Sequence, residues 1–129
     1  MLGQTDAALS RRERQIMDII YTNGQASVAE VCQAMADPPS YSAVRALMRI
    51  LEEKGHLRHK AEGNKYIYLP TRSRKDASRS AMQRMLRTFF DGSAEQALVA
   101  LLDASTLAPA PDELDRMAKL IDQARKEGL

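Results

Sequence analysis

Two arginines four residues apart, Arg45 and Arg49, follow the hydroxyl-rich stretch Ser40-Tyr41-Ser42. On a helix that spacing puts both guanidinium groups on one face. Each can pair bidentately with a guanine edge or with a phosphate. A helix of this kind suits entry into a major groove, N-terminus first, with Tyr41 and Ser42 near the sugar-phosphate backbone. The same residues also suit a solvated amphipathic helix with two surface arginines. Glu52-Glu53 would repel a polyanion, so contact is expected over the first part of the helix.

A second basic group surrounds a turn. Arg58, Lys60 and Lys65 flank Gly63-Asn64, and on a two-stranded ribbon Lys60, Asn64 and Lys65 are placed to meet phosphates. Arg11 and Arg12 at an early helix start can add phosphate contacts or simply be solvated. Tyr66 and Tyr68 share one face of the ribbon by alternation, and Ile67 and Leu69 share the other. The tyrosines are read as packing the ribbon onto the helices rather than stacking on bases.

Other chemistry is poorly supplied. The single cysteine, Cys32, excludes an intramolecular disulfide and lies in an apolar helical stripe, as a buried small thiol would. His56 and His59 are three apart, so on a strand they face opposite sides and do not chelate together; His59 is read as a surface histidine. The chain has no glycine-rich phosphate loop and no His-Glu-x-x-His. Its serines mostly serve as helix caps. No enzyme activity, cofactor or metal is expected.

The elements that must position the basic groups follow from caps and periodicity. Ser10-Arg-Arg-Glu13 and Ser27-Val-Ala-Glu30 are capping boxes. The first opens a helix carrying Ile16, Met17, Ile19 and Ile20 and ending at Gly24. The second opens a helix carrying Val28, Val31, Cys32 and Met35 and ending at Asp37-Pro38-Pro39. Ser40 caps a third helix, whose Val44, Leu47, Met48 and Leu51 follow the i, i+3, i+4, i+7 rule up to Gly55. Leu57–Lys60 and Lys65–Leu69 then read as a β-hairpin around Ala61-Glu62-Gly63-Asn64, stopped by Pro70. Three helices and a hairpin in this order make a winged helix-turn-helix. Three further helices follow, separated by Gly92 and by Ala108-Pro109-Ala110-Pro111. The chain is therefore expected to be mainly α with one small hairpin: residues 1–71 a winged-helix DNA-binding domain, and residues 72–129 a helical dimerisation region.

Composition and charge agree with that division. The 129 residues are 44% hydrophobic and 28% charged, ordinary for a globular chain. No stretch nears the roughly 20 apolar residues of a membrane span, so no membrane insertion and a cytoplasmic location are expected. Residues 71–90 carry six Lys/Arg against one Asp/Glu, net +5, whereas residues 91–129 carry four against eight, net −4. Only part of the surface is therefore suited to a polyanion. The apolar stripes of the last three helices are Met82, Met85, Leu86, Phe89 and Phe90, then Leu98, Leu101 and Leu102, then Leu114, Met117 and Ile121. Short helices with one stripe each form little core alone, so these residues are expected to pack against a second copy, with intrachain packing the alternative.

The stretch Tyr41-Ser42-Ala43-Val44-x-x-Leu47-x-Arg49-x-Leu51-Glu52-Glu53-Lys54-Gly55-His56-Leu57, with Glu62-Gly63-x-x-Tyr66-x-Tyr68-x-Pro70 after it, resembles the BlaI/MecI/CopY family of penicillinase-type transcriptional repressors. Leu9-Ser10-x-x-Glu13-x-x-Ile16-Met17 and the helical tail are similar as well. The resemblance implies a homodimer that reads a dyad-symmetric DNA operator and occludes a promoter. It also implies a partner sensor-protease system acting on the C-terminal region. Residues 71–129 lack the cysteine cluster of copper-responsive members, and Gln96–Leu102 lacks the Asn-Phe pair at which β-lactam-responsive members are cut. Two other readings of the residues remain open: a ligand-sensing winged-helix regulator, and a protein-interaction module that does not bind DNA.

Overall fold

The structure, a computed structural model, describes residues 9–103 and 109–128; Ala108 of the expected proline-rich connector lies outside them. Its elements run α1 (Arg11–Asn23), α2 (Val28–Ala34), α3 (Tyr41–Glu53), β1 (Leu57–Glu62), β2 (Lys65–Pro70), α4 (Arg74–Phe89), α5 (Ala94–Leu102) and α6 (Pro111–Lys126). The fold is mainly helical with one antiparallel hairpin, in winged helix-turn-helix order. Two compact units result, Met1–Ala81 and Met82–Leu129.

The first unit forms where the periodicity predicts. Both capping boxes close: Ser10 Oγ accepts from the Glu13 N–H while the Glu13 carboxylate accepts from the Ser10 N–H, and Ser27 and Glu30 do the same. Gly24, at φ 88°, stops α1 by donating its N–H to the Ile20 carbonyl at 2.7 Å. One face each of α1, α2 and α3 then meets in a dry core of Ile16, Ile20, Val31, Val44, Met48 and Leu51, all fully buried. Burying each such side chain contributes about 1.5–3 kcal/mol.

Helix α2 is shorter than expected. It ends at Ala34, and Met35 turns to extended backbone (ψ 135°) while its side chain stays buried in the core. Were the helix to run on, Pro38 would have no N–H for the Ala34 carbonyl, and it disfavours helical backbone at Asp37. The Asp37 carbonyl accepts instead from the Arg12 guanidinium at 2.7 Å.

The hairpin is tighter than expected. Glu62 pairs with Lys65, leaving only Gly63-Asn64 as the turn. Gly63 sits at φ 67°, which a glycine adopts without strain at the first central position of a two-residue turn. Ala26 adds a further bridge to β2, exchanging both backbone hydrogen bonds with Tyr68 at 2.8 and 3.0 Å. At the hairpin base the Thr71 N–H donates to the His56 carbonyl, and the Thr71 hydroxyl donates to the Gly55 carbonyl at 2.6 Å.

Three polar residues are buried in this unit, Ser27, His56 and, deepest of them, Glu13, which is 3% exposed. Beyond its cap bond, it accepts from the Lys54 ammonium through both oxygens, at 2.9 and 3.1 Å, tying the start of α1 to the end of α3. Burial pushes the Glu13 pKa up, but the Ser10 N–H and the Lys54 charge outweigh it and hold the carboxyl below its ordinary 4.5.

In the second unit no described helical residue is buried. Ser93 caps α5, Pro111 opens α6, and Asp112-Glu113 and Arg125-Lys126 fall at the ends where the helix dipole favours their charges. Phe89 is 74% exposed, and Leu101, Leu102, Leu114 and Ile121 are exposed too. Among the described residues no helix is long and apolar enough to cross a membrane.

Glu13→Ala should lower stability by about 2 kcal/mol, since it removes charge-assisted bonds and a cap together. Because the folded pKa is depressed, the wild-type carboxylate contributes fully above pH 4.5 and progressively less as pH falls below it. Urea unfolding at neutral and acid pH should therefore show the gap between wild type and variant closing as the solution is acidified. A gap that held constant with pH would show the carboxylate charge to be irrelevant.

Candidate nucleic-acid interface

Helix α3 has a dry side and a bare side. Val44, Met48 and Leu51 are fully buried, and this turns Tyr41, Ser42, Arg45, Ala46, Arg49 and Ile50 to solvent. Ser40 sets the start of the helix: its hydroxyl accepts from the Ala43 N–H at 3.2 Å and lies 3.3 Å from the Ser42 hydroxyl. Among the described residues neither Arg45 nor Arg49 has a carboxylate at ion-pair distance. Their charge is available to a partner.

The hairpin is brought against this helix. An open cleft of about 380 Å³ is lined by Tyr41 and Arg45 of α3, by Asn64, Lys65, Tyr66 and Tyr68 of the hairpin, and by Ser27, Val28 and Ala29 at the start of α2. Four of the sequence-predicted residues, Tyr41, Arg45, Asn64 and Lys65, thus converge on one hollow. Arg49 is close enough for its charge to act on the Tyr68 phenol. That phenol is pushed above its ordinary range by burial and by Glu52, while Arg45 and Arg49 pull it partly back.

The other predicted positions fall around this centre. Ser42 lies exposed at the helix start. Lys60 is exposed opposite Ile67, on the hairpin face that alternation separates from Tyr66 and Tyr68. Arg11 is exposed at the start of α1, whereas Arg12 is engaged with the Asp37 carbonyl and the Gln15 side chain. The tyrosines divide: Tyr68 is buried in the core, as the packing reading expects, but Tyr66 is 53% exposed.

Two contributors were not legible as such. His59, expected to be a plain surface residue, bridges hairpin and helix. Its Nδ1 lies 2.6 and 2.8 Å from the two Glu52 carboxylate oxygens, and its ring stacks on Tyr66 with centroids 4.2 Å apart. The cue is the strand register, which puts His59 opposite Tyr68 and Ala61 opposite Tyr66 on one face. The start of α2 enters the cleft only through tertiary packing, and no local pattern announces it. No group of three His, Cys, Asp or Glu suited to a metal occurs among the described residues.

The penicillinase repressor family model matches residues 9–123. The chain belongs to the penicillinase repressor family. The penicillinase repressor of Bacillus licheniformis is 20% identical over 117 residues, which cover 89% of this chain and 90% of that one. A solved structure concerned with regulation of DNA binding of Bordetella bronchiseptica BpsR by 6-hydroxynicotinic acid aligns at a TM-score of 0.49 and 17% identity. It covers 94% of this chain and 78% of that one. Within the penicillinase repressor match lie α3, the hairpin and the cleft between them.

His59→Ala should leave global stability within about 1 kcal/mol, the usual worth of a half-exposed pair. It should nevertheless speed amide exchange over residues 62–66, because the hairpin loses its side-chain tie to α3. Unchanged exchange at the hairpin tip would show that the backbone bridge to Ala26 holds the hairpin without help.

Proposed function

We propose that this chain is a sequence-specific DNA-binding transcriptional repressor that binds a dyad-symmetric operator as a homodimer. The observation that carries the reading is the meeting of Tyr41, Arg45, Asn64 and Lys65 in one open cleft, beside an α3 face whose arginines have no acidic partner among the described residues. In this reading α3 enters the major groove and Arg45 and Arg49 reach base edges or phosphates. Tyr41 and Ser42 approach the backbone at the helix start. Lys60, Asn64 and Lys65 follow the neighbouring phosphates, with Arg11 adding a contact from α1.

The second half of the proposal rests on uncovered apolar surface. Met82, Met85, Phe89, Leu101, Leu102, Leu114 and Ile121 are exposed, and Leu86, Phe90, Leu98 and Met117 only half-covered. A shallow hollow of about 680 Å³ among Phe89, Phe90, Val99 and Leu102 adds to this surface. A second copy would cover these faces and set two reading helices about 34 Å apart, one turn of DNA. Occupying a promoter with both heads represses it. Cleavage in the helical region by a sensor-protease system would cost the dimer and leave half an operator bound too weakly to hold.

Binding to a pool of random duplexes at about 50 and 200 mM salt, with the mass in solution measured alongside, tests the whole reading. Enrichment of a dyad site, a steep salt dependence and a dimer mass are expected; a folded protein that enriches nothing would retire it. On the enriched site Arg49→Ala should cost about 1–3 kcal/mol and relax sequence preference. Lys65→Ala should instead weaken all duplexes alike and flatten the salt slope by about one. Identical behaviour of the two variants would undo the division between base and phosphate contacts.

A further inference from the structure

The bare side of α3 also carries side chains that neither donate nor accept. Ile50 is 39% exposed and Ala46 is exposed. They stand one turn apart and form an apolar ledge about 6 Å long. Each follows an arginine in sequence, Arg45-Ala46 and Arg49-Ile50, so the ledge is turned roughly 100° around the helix from the guanidinium row. Tyr41 and Arg45 line the cleft toward the hairpin, whereas Ala46 and Ile50 do not. The core does not account for Ile50 either: Val44, Met48 and Leu51 fill the dry side, with Leu47 packed beside them.

On the DNA-binding reading this ledge lies in the major groove, where it can gain only from an apolar surface. Of the groups that the four bases display in that groove, the thymine C5-methyl is the one apolar group that stands out from the base edge, cytosine having only a C5–H there. We propose that Ala46 and Ile50 form a thymine-methyl reading ledge, which makes Ile50 a specificity-determining residue beside the arginines. Each operator half-site then contains a thymine whose methyl group packs on the ledge, next to the base pairs reached by Arg45 and Arg49. Glu53, exposed one turn beyond Arg49, keeps the end of the helix from phosphates and limits the ledge to these two residues.

Uracil in place of thymine removes that methyl and nothing else. Each thymine of the enriched site should be replaced in turn by uracil and its affinity measured with wild type and with Ile50→Ala. One position per half-site should lose about four-fold with wild type, the worth of one buried methyl, and about sixteen-fold when both half-sites are changed. Ile50→Ala should bind the thymine site more weakly and lose much of that methyl sensitivity, while melting at the wild-type temperature. Uracil duplexes all bound like the parent would overturn the ledge and leave the DNA reading standing. So would an Ile50→Ala protein with full methyl sensitivity, or one weakened equally toward every duplex, which would return Ile50 to a packing role. A pool without any enriched site would overturn the DNA reading, and the ledge with it.

Discussion

The molecule's function hangs on the requirement that one short helix be dry on one side and bare on the other. Val44, Met48 and Leu51 of α3 reach complete burial against α1, α2 and the hairpin base. With 3.6 residues per turn, that choice decides where every other α3 side chain stands. Rotating the helix to bury Arg45 or Arg49 would put unpaired guanidinium charge in an apolar core, a cost far above what any surface contact returns. The exposure of the arginines is therefore a consequence of the core. The Glu13–Lys54 pair fixes the same helix at its other end, and because Lys54 immediately follows α3, the tie limits sliding along the axis as well as rotation.

The hairpin is held to this helix by two kinds of bond with different consequences. The paired backbone bonds between Ala26 and Tyr68 are insensitive to side-chain identity and set the hairpin's position. The Glu52–His59–Tyr66 cluster is side-chain chemistry at half-exposed positions, individually worth little. Backbone pairing near the base with weak side-chain ties farther out leaves the turn at Gly63-Asn64 able to adjust. On the proposed reading, that combination suits a ribbon following a phosphate backbone whose path varies with DNA sequence.

The sequence was most legible where the information is local. The serine caps at Ser10, Ser27, Ser40 and Ser93, the glycine stops, and the stripes on α1 and α3 are each written within one turn of helix, and they fold as the pattern predicts. It was less legible where a local preference met a tertiary one. Met35 fits a helical stripe, yet it is buried from extended backbone, because Pro38 and the Arg12 bond to Asp37 shape the connection to α3. His59 and Glu52 are seven residues apart in different elements, and their meeting follows only once the hairpin is folded down. Arg11 and Arg12 look alike in sequence, but Arg12 reaches the Asp37 carbonyl in the α2–α3 connection whereas Arg11 stays exposed.

The two units meet water on different terms. Residues 9–81 hide most of their apolar side chains among three helices and a hairpin, and apart from the buried Glu13 carboxylate their charges lie at or near the surface. From Met82 onward the helices are amphipathic, but among the described residues of α5 and α6 none is buried. Apolar faces of that extent are costly to leave in water. Net charge distinguishes what can cover them: residues 91–129 carry −4, so a polyanion is the wrong partner for that end of the chain, while the +5 of residues 71–90 lies immediately before it. A second copy brings both signs and identical apolar stripes, so it can match each face with its own kind across a two-fold axis. In the proposed dimer, two-fold symmetry in the helices would impose two-fold symmetry on the paired α3 helices. The dyad of the proposed operator is in that sense set by hydrophobic surface remote in sequence from the residues that would read it.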